Sequence, residues 1–193
     1  IVPPIPTVAI GDFLVSSMSV TGPSNEVNLA NNNFETSTII SASYDPNDKT
    51  ESHGGIIEID DFPNDDYLYY TIRFENTGTA PASNIRIEDD LDDQLDETSV
   101  RVVSSSHYNV MSRQANHLIW NFNNIQLPVT DYPNSNIGQG FVTFKVKPKS
   151  GYTVGDIIPN TAEIYFDSNP AIVTNTFNTE FVQTLGTTSF ASN

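Results

Sequence analysis

Short stretches in which apolar and polar residues alternate constrain this chain more than any other feature. Residues 67–75 (YLYYTIRFE) place Leu68, Tyr70, Ile72 and Phe74 on one face and polar or polar-tipped side chains on the other. Successive side chains of a β-strand point to opposite faces, so a period of two predicts a half-buried strand. We therefore expect these four residues to face a core.

The same alternation recurs along the rest of the chain, and Gly, Pro and Asn mark turns between the segments, as in Asn76–Pro81. Val100 and Val102 mark one further short strand, and 172–182 another. The other predicted inward residues are Ile85, Ile87, Leu118, Trp120, Phe122, Val142, Phe144, Val146, Ala162, Ile164 and Phe166. About seven short strands without a helical period predict an all-β fold, an antiparallel immunoglobulin-like β-sandwich, with Trp120 packed in its core.

The chain before this sandwich is too short to be a domain. Two strands are predicted within residues 1–42, the first with Phe13, Val15 and Val20 as candidate inward positions, and a single hairpin is marginal in water. We therefore expect 1–42 to be the last strands of a preceding β-sandwich domain, or strands added to the main one. Residues 43–49 (SYDPNDK) are predicted as a linker because Pro46 fixes its own φ and favours an extended residue before it. The sandwich proper is placed at 50–182.

A weak internal echo supports tandem sandwiches. A strand pair runs into Tyr44–Asn47 near the start of the chain, and a similar pair runs into Phe166–Pro170 near its end. The chain starts without Met or a basic segment, which predicts that it was cut from a longer protein.

Charge and composition exclude several classes of function. The 193 residues carry a formal net charge of −16 with only 8 Lys and Arg, too few to neutralise nucleic-acid phosphates. No apolar run reaches the roughly 18 residues of a membrane helix, so no membrane insertion is expected. Cysteine is absent, which excludes disulfides and thiolate metal sites.

Clustered carboxylates are the main candidates for a ligand site. Asp45, Asn47 and Asp48 bring three oxygen-bearing side chains within four positions, and Asp89 and Asp90 lie where a strand gives way to an acidic loop. Calcium takes six to eight oxygen ligands of these types. We predict calcium at Asp45, Asn47 and Asp48, where it would stiffen a junction between domains, and a second candidate site at Asp89 and Asp90. The alternative is that these residues form solvated turns.

Several strings together resemble a repeat domain of large secreted proteins from the Bacteroidetes. They are SYDPNDK, YTIRFENTGTAPASNIRIEDDLDDQLD, GFVTFKVKPKSG and NTAEIYFDSNPAIVTNT, in this order across about residues 40–182. The pattern is similar, more distantly, to repeat sandwiches of other bacterial surface proteins. The resemblance implies an extracellular location, the type IX secretion machinery as a partner, and a C-terminal sorting domain after a polar linker, here 183–193. It implies no activity.

Enzyme function is not expected. The three histidines lack ligand spacing, and no nucleophile elbow or phosphate-binding loop is present. We therefore predict a non-catalytic extracellular module that acts as a spacer or in adhesion or cargo presentation, with neighbouring domains of the same chain as partners. The alternative is a carbohydrate-binding module of a secreted polysaccharide-degrading enzyme, which would bind surface glycans through exposed tyrosines. The candidates are Tyr67, Tyr69, Tyr108, Tyr132 and Tyr152.

Overall fold

The chain divides into two compact units, Ile1–Asp45 and Pro46–Asn193. The computed structural model describes residues 13–21, 32–39, 46–63, 66–132 and 135–183. In the first unit, β1 (Phe13–Ser19) pairs antiparallel with β2 (Asn33–Ile39), from Phe13 opposite Ile39 to Ser19 opposite Asn33. This confirms the two predicted strands. That they end a preceding sandwich stays a prediction.

The second unit is built from strands throughout its described part, with one 3-10 turn at Ile59–Asp61. Its strands are β3 (Lys49–Glu51), β4 (Ile56–Glu58), β5 (Leu68–Glu75), β6 (Ile85–Asp90), β7 (Leu95–Ser105), β8 (Val110–Gln114), β9 (His117–Phe122), β10 (Gln139–Pro148), β11 (Ile157–Asn160), β12 (Ala162–Phe166), β13 (Ile172–Val173) and β14 (Phe177–Val182).

Three sheets form this unit. One has the order β3-β5-β10-β7, the second β13-β12-β6-β9-β8, and the third β11-β14-β4. All neighbours are antiparallel except β14 and β4, which run parallel. The architecture is the predicted antiparallel, immunoglobulin-like β-sandwich, although it contains more short strands than the seven expected.

The core lies between the first two sheets, as the alternation predicts. Phe74 of β5 packs edge-on against Phe122 of β9, with ring centroids 5.2 Å apart, and Trp120 of β9 lies 5.1 Å from Phe144 of β10. Burying aromatic rings of this size supplies much of the hydrophobic stabilisation of a small sandwich. Every residue predicted to face inward in the sandwich is buried, including Trp120, whereas Val102 is exposed within the longer strand β7. Val20, which is predicted to face inward in the first unit, is 57% exposed.

A smaller aromatic cluster packs against the third sheet. Phe181 of β14 stacks on Tyr152 at 4.4 Å and meets Phe62 edge-on at 5.6 Å. Because β14 also pairs with β4, the last strand of the unit lies beside one of its first.

The start of the second unit lies earlier than the predicted sandwich. Residues 46–49, which the sequence places in a linker, belong to this unit, and Lys49 already begins β3. Residues 43–45 lie outside the described residues, as do 184–193 of the predicted polar linker.

Candidate functional site

The entry strand β3 carries a lysine that points into the core. The Lys49 side chain has no solvent exposure, and Nζ contacts Oδ2 of Asp89, whose side chain is equally buried. Asp89 lies on β6 and shares the inward face with Ile85 and Ile87 because strand residues alternate. This buried ion pair therefore joins the two sheets of the sandwich.

Aromatic rings surround the lysine head. Nζ lies 5.1 Å from the centroid of the Tyr70 ring and 5.5 Å from that of Phe144, and these two rings stack on each other at 5.5 Å. The π faces attract a cation, yet they offer no hydrogen-bond acceptor comparable to water. The pair is thus held in an apolar surrounding with few polar partners.

Burial shifts both ionisable groups toward their neutral forms. Desolvation lowers the pKa of the Lys49 amine, and the attraction of Asp89 opposes this shift only in part. Desolvation likewise raises the pKa of the Asp89 carboxyl against the opposing attraction of Lys49. Removing two charges from water costs more than their attraction returns unless further hydrogen bonds satisfy them. The site therefore brings an amine with a lowered pKa against a carboxyl with a raised one.

Several polar atoms in this region are buried without a hydrogen bond of normal geometry. They are Oδ1 of Asp89, the Tyr70 hydroxyl, Nε1 of Trp120, both amide atoms of Asn160 and the Thr179 hydroxyl. Burial raises the pKa of Tyr70, while the nearby Thr179 hydroxyl and Asn160 amide lower it by less. Each unpaired buried group costs free energy, so such a concentration in one core is unusual.

The entry strand is also anchored from outside. The Lys49 N–H donates to Oδ1 of Asn175 at 2.8 Å, and Nδ2 of Asn175 donates to the Lys49 carbonyl at 2.9 Å. One side-chain amide thus satisfies both main-chain groups of Lys49, as a neighbouring strand would. Asn175 lies just before β14, so the contact links the first strand of the unit to the segment that leads into its last.

The predicted ligands at the junction have protein partners where they are described. Oδ1 of Asn47 accepts a hydrogen bond from the Glu75 N–H at 3.2 Å. Asp48 binds the Arg73 guanidinium through both carboxylate oxygens, one of them 2.6 Å from Nε. Asp45 lies outside the described residues. The calcium site at Asp45, Asn47 and Asp48 stays a prediction.

The structure does not bring the second predicted pair together. Asp89 points into the core, whereas Asp90, the next residue of the same strand, is exposed and contacts Nδ1 of His117 at 2.7 Å. Asp90 instead shares a surface cleft with other carboxylates, those of Glu88, Asp92 and Glu163. Within the described ranges, no group of three or more His, Cys, Asp or Glu side chains has a metal-binding arrangement.

The tyrosines named as glycan candidates fall into three groups. Tyr67 is half-buried beneath lysines of β10: Nζ of Lys145 lies 4.2 Å from its ring centroid and Nζ of Lys147 lies 4.9 Å from it. The ring centroid of Tyr69 lies farther from Nζ of Lys145, at 5.7 Å. Tyr152 packs against Phe181 and Phe62. Tyr108 and Tyr132 are 85% and 51% exposed and present open aromatic surface.

Lys49, Asn160 and Asn175 are not among the site residues predicted from the sequence. The sequence does contain a signal for Asp89. The alternation that places Ile85 and Ile87 inward places Asp89, two residues farther on, inward as well. Lys49 falls in the predicted linker 43–49, where no alternation assigns a residue to a face. Asn175 had no signal, since its partner is main chain that is distant in sequence.

In the part of the chain that the structure describes, no helix is long and apolar enough to cross a membrane.

The family described as "Domain of unknown function (DUF7619)" matches residues 45–180, from before β3 into β14. No curated protein matches the chain in sequence.

Solved structures that resemble the chain include bacterial pilins and a collagen-binding domain of an adhesin. Domains D2 and D3 of the major pilin SpaD from Corynebacterium diphtheriae are 20% identical, with a TM-score of 0.48 over 69% of this chain and 52% of that one. BcpA, the major pilin subunit of Bacillus cereus, is 14% identical, with a TM-score of 0.48 over 69% and 39%. A collagen-binding domain from a Staphylococcus aureus adhesin is 11% identical, with a TM-score of 0.42 over 72% and 97%. The chain spans about half or less of the pilin structures.

Proposed function

Because this chain belongs to the DUF7619 family, whose description assigns no activity, we propose a function from its own contacts: a non-catalytic structural module that connects neighbouring domains in series. The observation that carries the proposal is that the strands at the start of the second unit, β3 and β4, are joined directly to its last segment, Asn175 and β14.

The joining rests on two sets of contacts. β4 and β14 pair in parallel, from Glu180 opposite Ile56 to Val182 opposite Glu58. Beside them, the Asn175 amide holds the main chain of Lys49. A hydrogen bond from the Glu180 N–H to the Gly55 carbonyl, at 2.8 Å, extends the parallel pairing toward the turn before β4.

The geometry suits a module that is pulled from its two ends. Tension would draw β4 toward its N-terminus and β14 toward its C-terminus. In a parallel pair these directions slide one strand along the other, so several hydrogen bonds must break together rather than one after another. Forced unfolding is governed by the unfolding rate, and simultaneous rupture raises that barrier.

The setting that we propose is extracellular. On this proposal the module belongs to a secreted or surface-attached protein of the Bacteroidetes, is exported by the type IX secretion machinery, and acts as a spacer or in adhesion or cargo presentation. The resemblance of the SYDPNDK and NTAEIYFDSNPAIVTNT strings supports it. The net charge of −16 fits a solvated, self-repelling surface. Protease treatment of intact cells tests the location: the module should be cleaved from wild-type cells and retained inside cells that lack type IX secretion.

Single-molecule pulling tests the mechanical role. The chain has no native Cys, so single cysteines define the attachment points without ambiguity. We expect the full chain, held at its two ends, to unfold at a higher force than when it is held at one end and at exposed Val154. The Asn175→Ala variant should lower the end-to-end force, and the control Asn178→Ala should not. Equal forces in both geometries would contradict the proposal.

A second candidate function is glycan binding, which the exposure of Tyr108 and Tyr132 favours. Both rings offer flat apolar faces of the kind that stack on sugar rings. A glycan array probed with the full chain tests this candidate. Binding that is lost in Tyr108→Ala and kept in a Tyr67→Ala control would support it, and an array without signal would remove it.

A further inference from the structure

We infer that Lys49 and Asp89 condense with each other to form an intramolecular amide bond between Nζ and Cγ, which covalently joins β3 to β6. The inference concerns a modification of the chain itself and stands whether or not the module is a mechanical spacer. Four features of the site support it: contact, exclusion of water, protonation state and unpaired neighbours.

The reacting atoms are already in contact. Nζ of Lys49 lies against Oδ2 of Asp89, and neither side chain has solvent exposure. The strands on which the two residues lie fix this approach, because β3 is paired to β5 and β6 is paired on both sides, to β12 and β9. Such positioning replaces an encounter between two molecules by a step within one, which is worth a large part of a reaction barrier.

The protonation state suits condensation rather than a lasting ion pair. An ammonium is no nucleophile and a carboxylate is a poor electrophile, so the reaction needs both groups neutral. Burial drives both toward that form, as their shifted pKa values indicate. Desolvation activates buried lysine amines in the same way elsewhere.

The step balances without any co-reactant. The Nζ lone pair attacks Cγ of the protonated Asp89 carboxyl and gives a tetrahedral intermediate. The C–N bond forms in this attack. One proton then passes from nitrogen to the departing hydroxyl, the C–O bond breaks, and one water leaves as the carbonyl of the amide re-forms. The product carries neither the amine nor the carboxyl, so the cost of burying two ionisable groups is removed.

The buried Tyr70 hydroxyl and Asn160 amide can stabilise the tetrahedral intermediate by donating hydrogen bonds to its oxygens. Burial raises the pKa of the Tyr70 hydroxyl, so this group stays a neutral donor, and it interacts with both Asp89 and the Asn160 amide. These donors have no hydrogen-bond partner of normal geometry in the ground state. A donor aimed at an oxygen that develops charge contributes most in a water-excluded site. We assign Tyr70 and Asn160 as positioning residues for the step.

Mass spectrometry of the full chain under denaturing conditions tests the inference. We expect the wild-type mass to be lower than the calculated mass by one water. Lys49→Arg and Asp89→Ala should each restore the full calculated mass. A tryptic digest should join the peptide that contains Lys49 to Ile87–Arg101, which contains Asp89. Because masses are read on unfolded protein, the wild-type result decides the question even where a variant folds poorly.

Three outcomes would overturn the inference. The first is a wild-type chain at its full calculated mass. The second is loss of water that persists in Lys49→Arg, which would indicate dehydration elsewhere, such as a succinimide. The third is loss of one ammonia in place of water, which would mean that Lys49 has joined an asparagine such as Asn160. As a test of positioning, Tyr70→Phe should slow the appearance of the crosslinked mass after refolding while leaving the linked peptide unchanged.

Discussion

The side-chain amide of Asn175 holds both main-chain hydrogen-bonding groups of Lys49, the N–H at 2.8 Å and the carbonyl at 2.9 Å. β3 lies at the edge of its sheet with β5 on one side only, so the amide supplies what a further strand would otherwise provide. A strand of three residues has little pairing of its own. The position of the buried lysine therefore depends in part on a residue 126 positions away.

Loss of this amide should destabilise the second unit. We expect Asn175→Ala to lower the free energy of unfolding by about 1–3 kcal/mol, since two hydrogen bonds to main chain are lost. Asn175→Asp should also destabilise, because a carboxylate cannot donate to the Lys49 carbonyl. Urea unfolding, followed by Trp120 fluorescence, measures the loss of unfolding free energy in both variants. Asn178→Ala is the matched control. An Asn175→Ala variant as stable as that control would show that the contact contributes nothing.

Calcium should raise the melting temperature of the chain if Asp45, Asn47 and Asp48 bind it, because a ligand that binds only the folded state stabilises that state. The ion must compete with Arg73, which occupies both oxygens of Asp48. We therefore expect the calcium-dependent shift to grow in Arg73→Gln and to vanish in a variant with Asp45→Ala and Asp48→Ala. Melts with calcium and with a chelator give the shift.

The same melts separate the two predicted calcium sites. Asp90→Asn changes the second site and leaves the junction intact, so it should keep the wild-type shift if calcium binds at the junction. A melting temperature that calcium does not change, in wild type and in Arg73→Gln alike, would remove the calcium prediction.

A methyl group at Gly140 should not fit. A Cβ there would collide with the ring of Phe74 and lie 2.9 Å from Oγ of Ser106. We expect Gly140→Ala to lower the free energy of unfolding by about 1–3 kcal/mol, the usual cost of overpacking a core. The double variant with Phe74→Leu should lose less than the sum of the two single variants, because the smaller side chain makes room. If the losses of unfolding free energy simply add, the cost of Gly140→Ala does not come from a clash with Phe74.

The stability contributed by Asp96 should be lost in acid. The Thr98 hydroxyl, at 2.6 Å, and its N–H, at 3.0 Å, donate to Oδ1 of Asp96 and hold the pKa of this carboxyl below its ordinary value. The unfolded chain therefore binds a proton at Asp96 at a higher pH than the folded chain does. The stabilisation is present above the ordinary pKa and falls away as pH drops through the lowered one.

Urea unfolding at a series of pH values checks this. The difference in unfolding free energy between wild type and Asp96→Asn should be largest near neutral pH and shrink in acid. Thr98→Ala removes only the hydroxyl donor, so its unfolding free energy near neutral pH should lie between those of wild type and Asp96→Asn. A difference that does not depend on pH would contradict the assignment.

The sequence by itself determined the layers of the sandwich. Alternation in segments such as 67–75 and 141–147 identified the faces that meet in the core, since side-chain direction in a strand follows directly from residue parity. Polar strands left no such signal: β8, with Ser112, Arg113 and Gln114, is mostly exposed and was not predicted. It forms because a two-residue turn at Ala115 and Asn116, with Ala115 at a φ of 53°, folds it back on β9.

The tertiary structure alone decided which polar residues meet. Lys49, Asp89 and Asn175 are far apart in sequence, and their contacts follow from strand order and register, which parity does not specify. The same reason separates Asp89 from Asp90: neighbours in sequence look like one acidic cluster, yet the strand turns one toward the core and the other toward solvent. Local pattern fixes which face a residue occupies, whereas only the packing of the sheets fixes what lies opposite it.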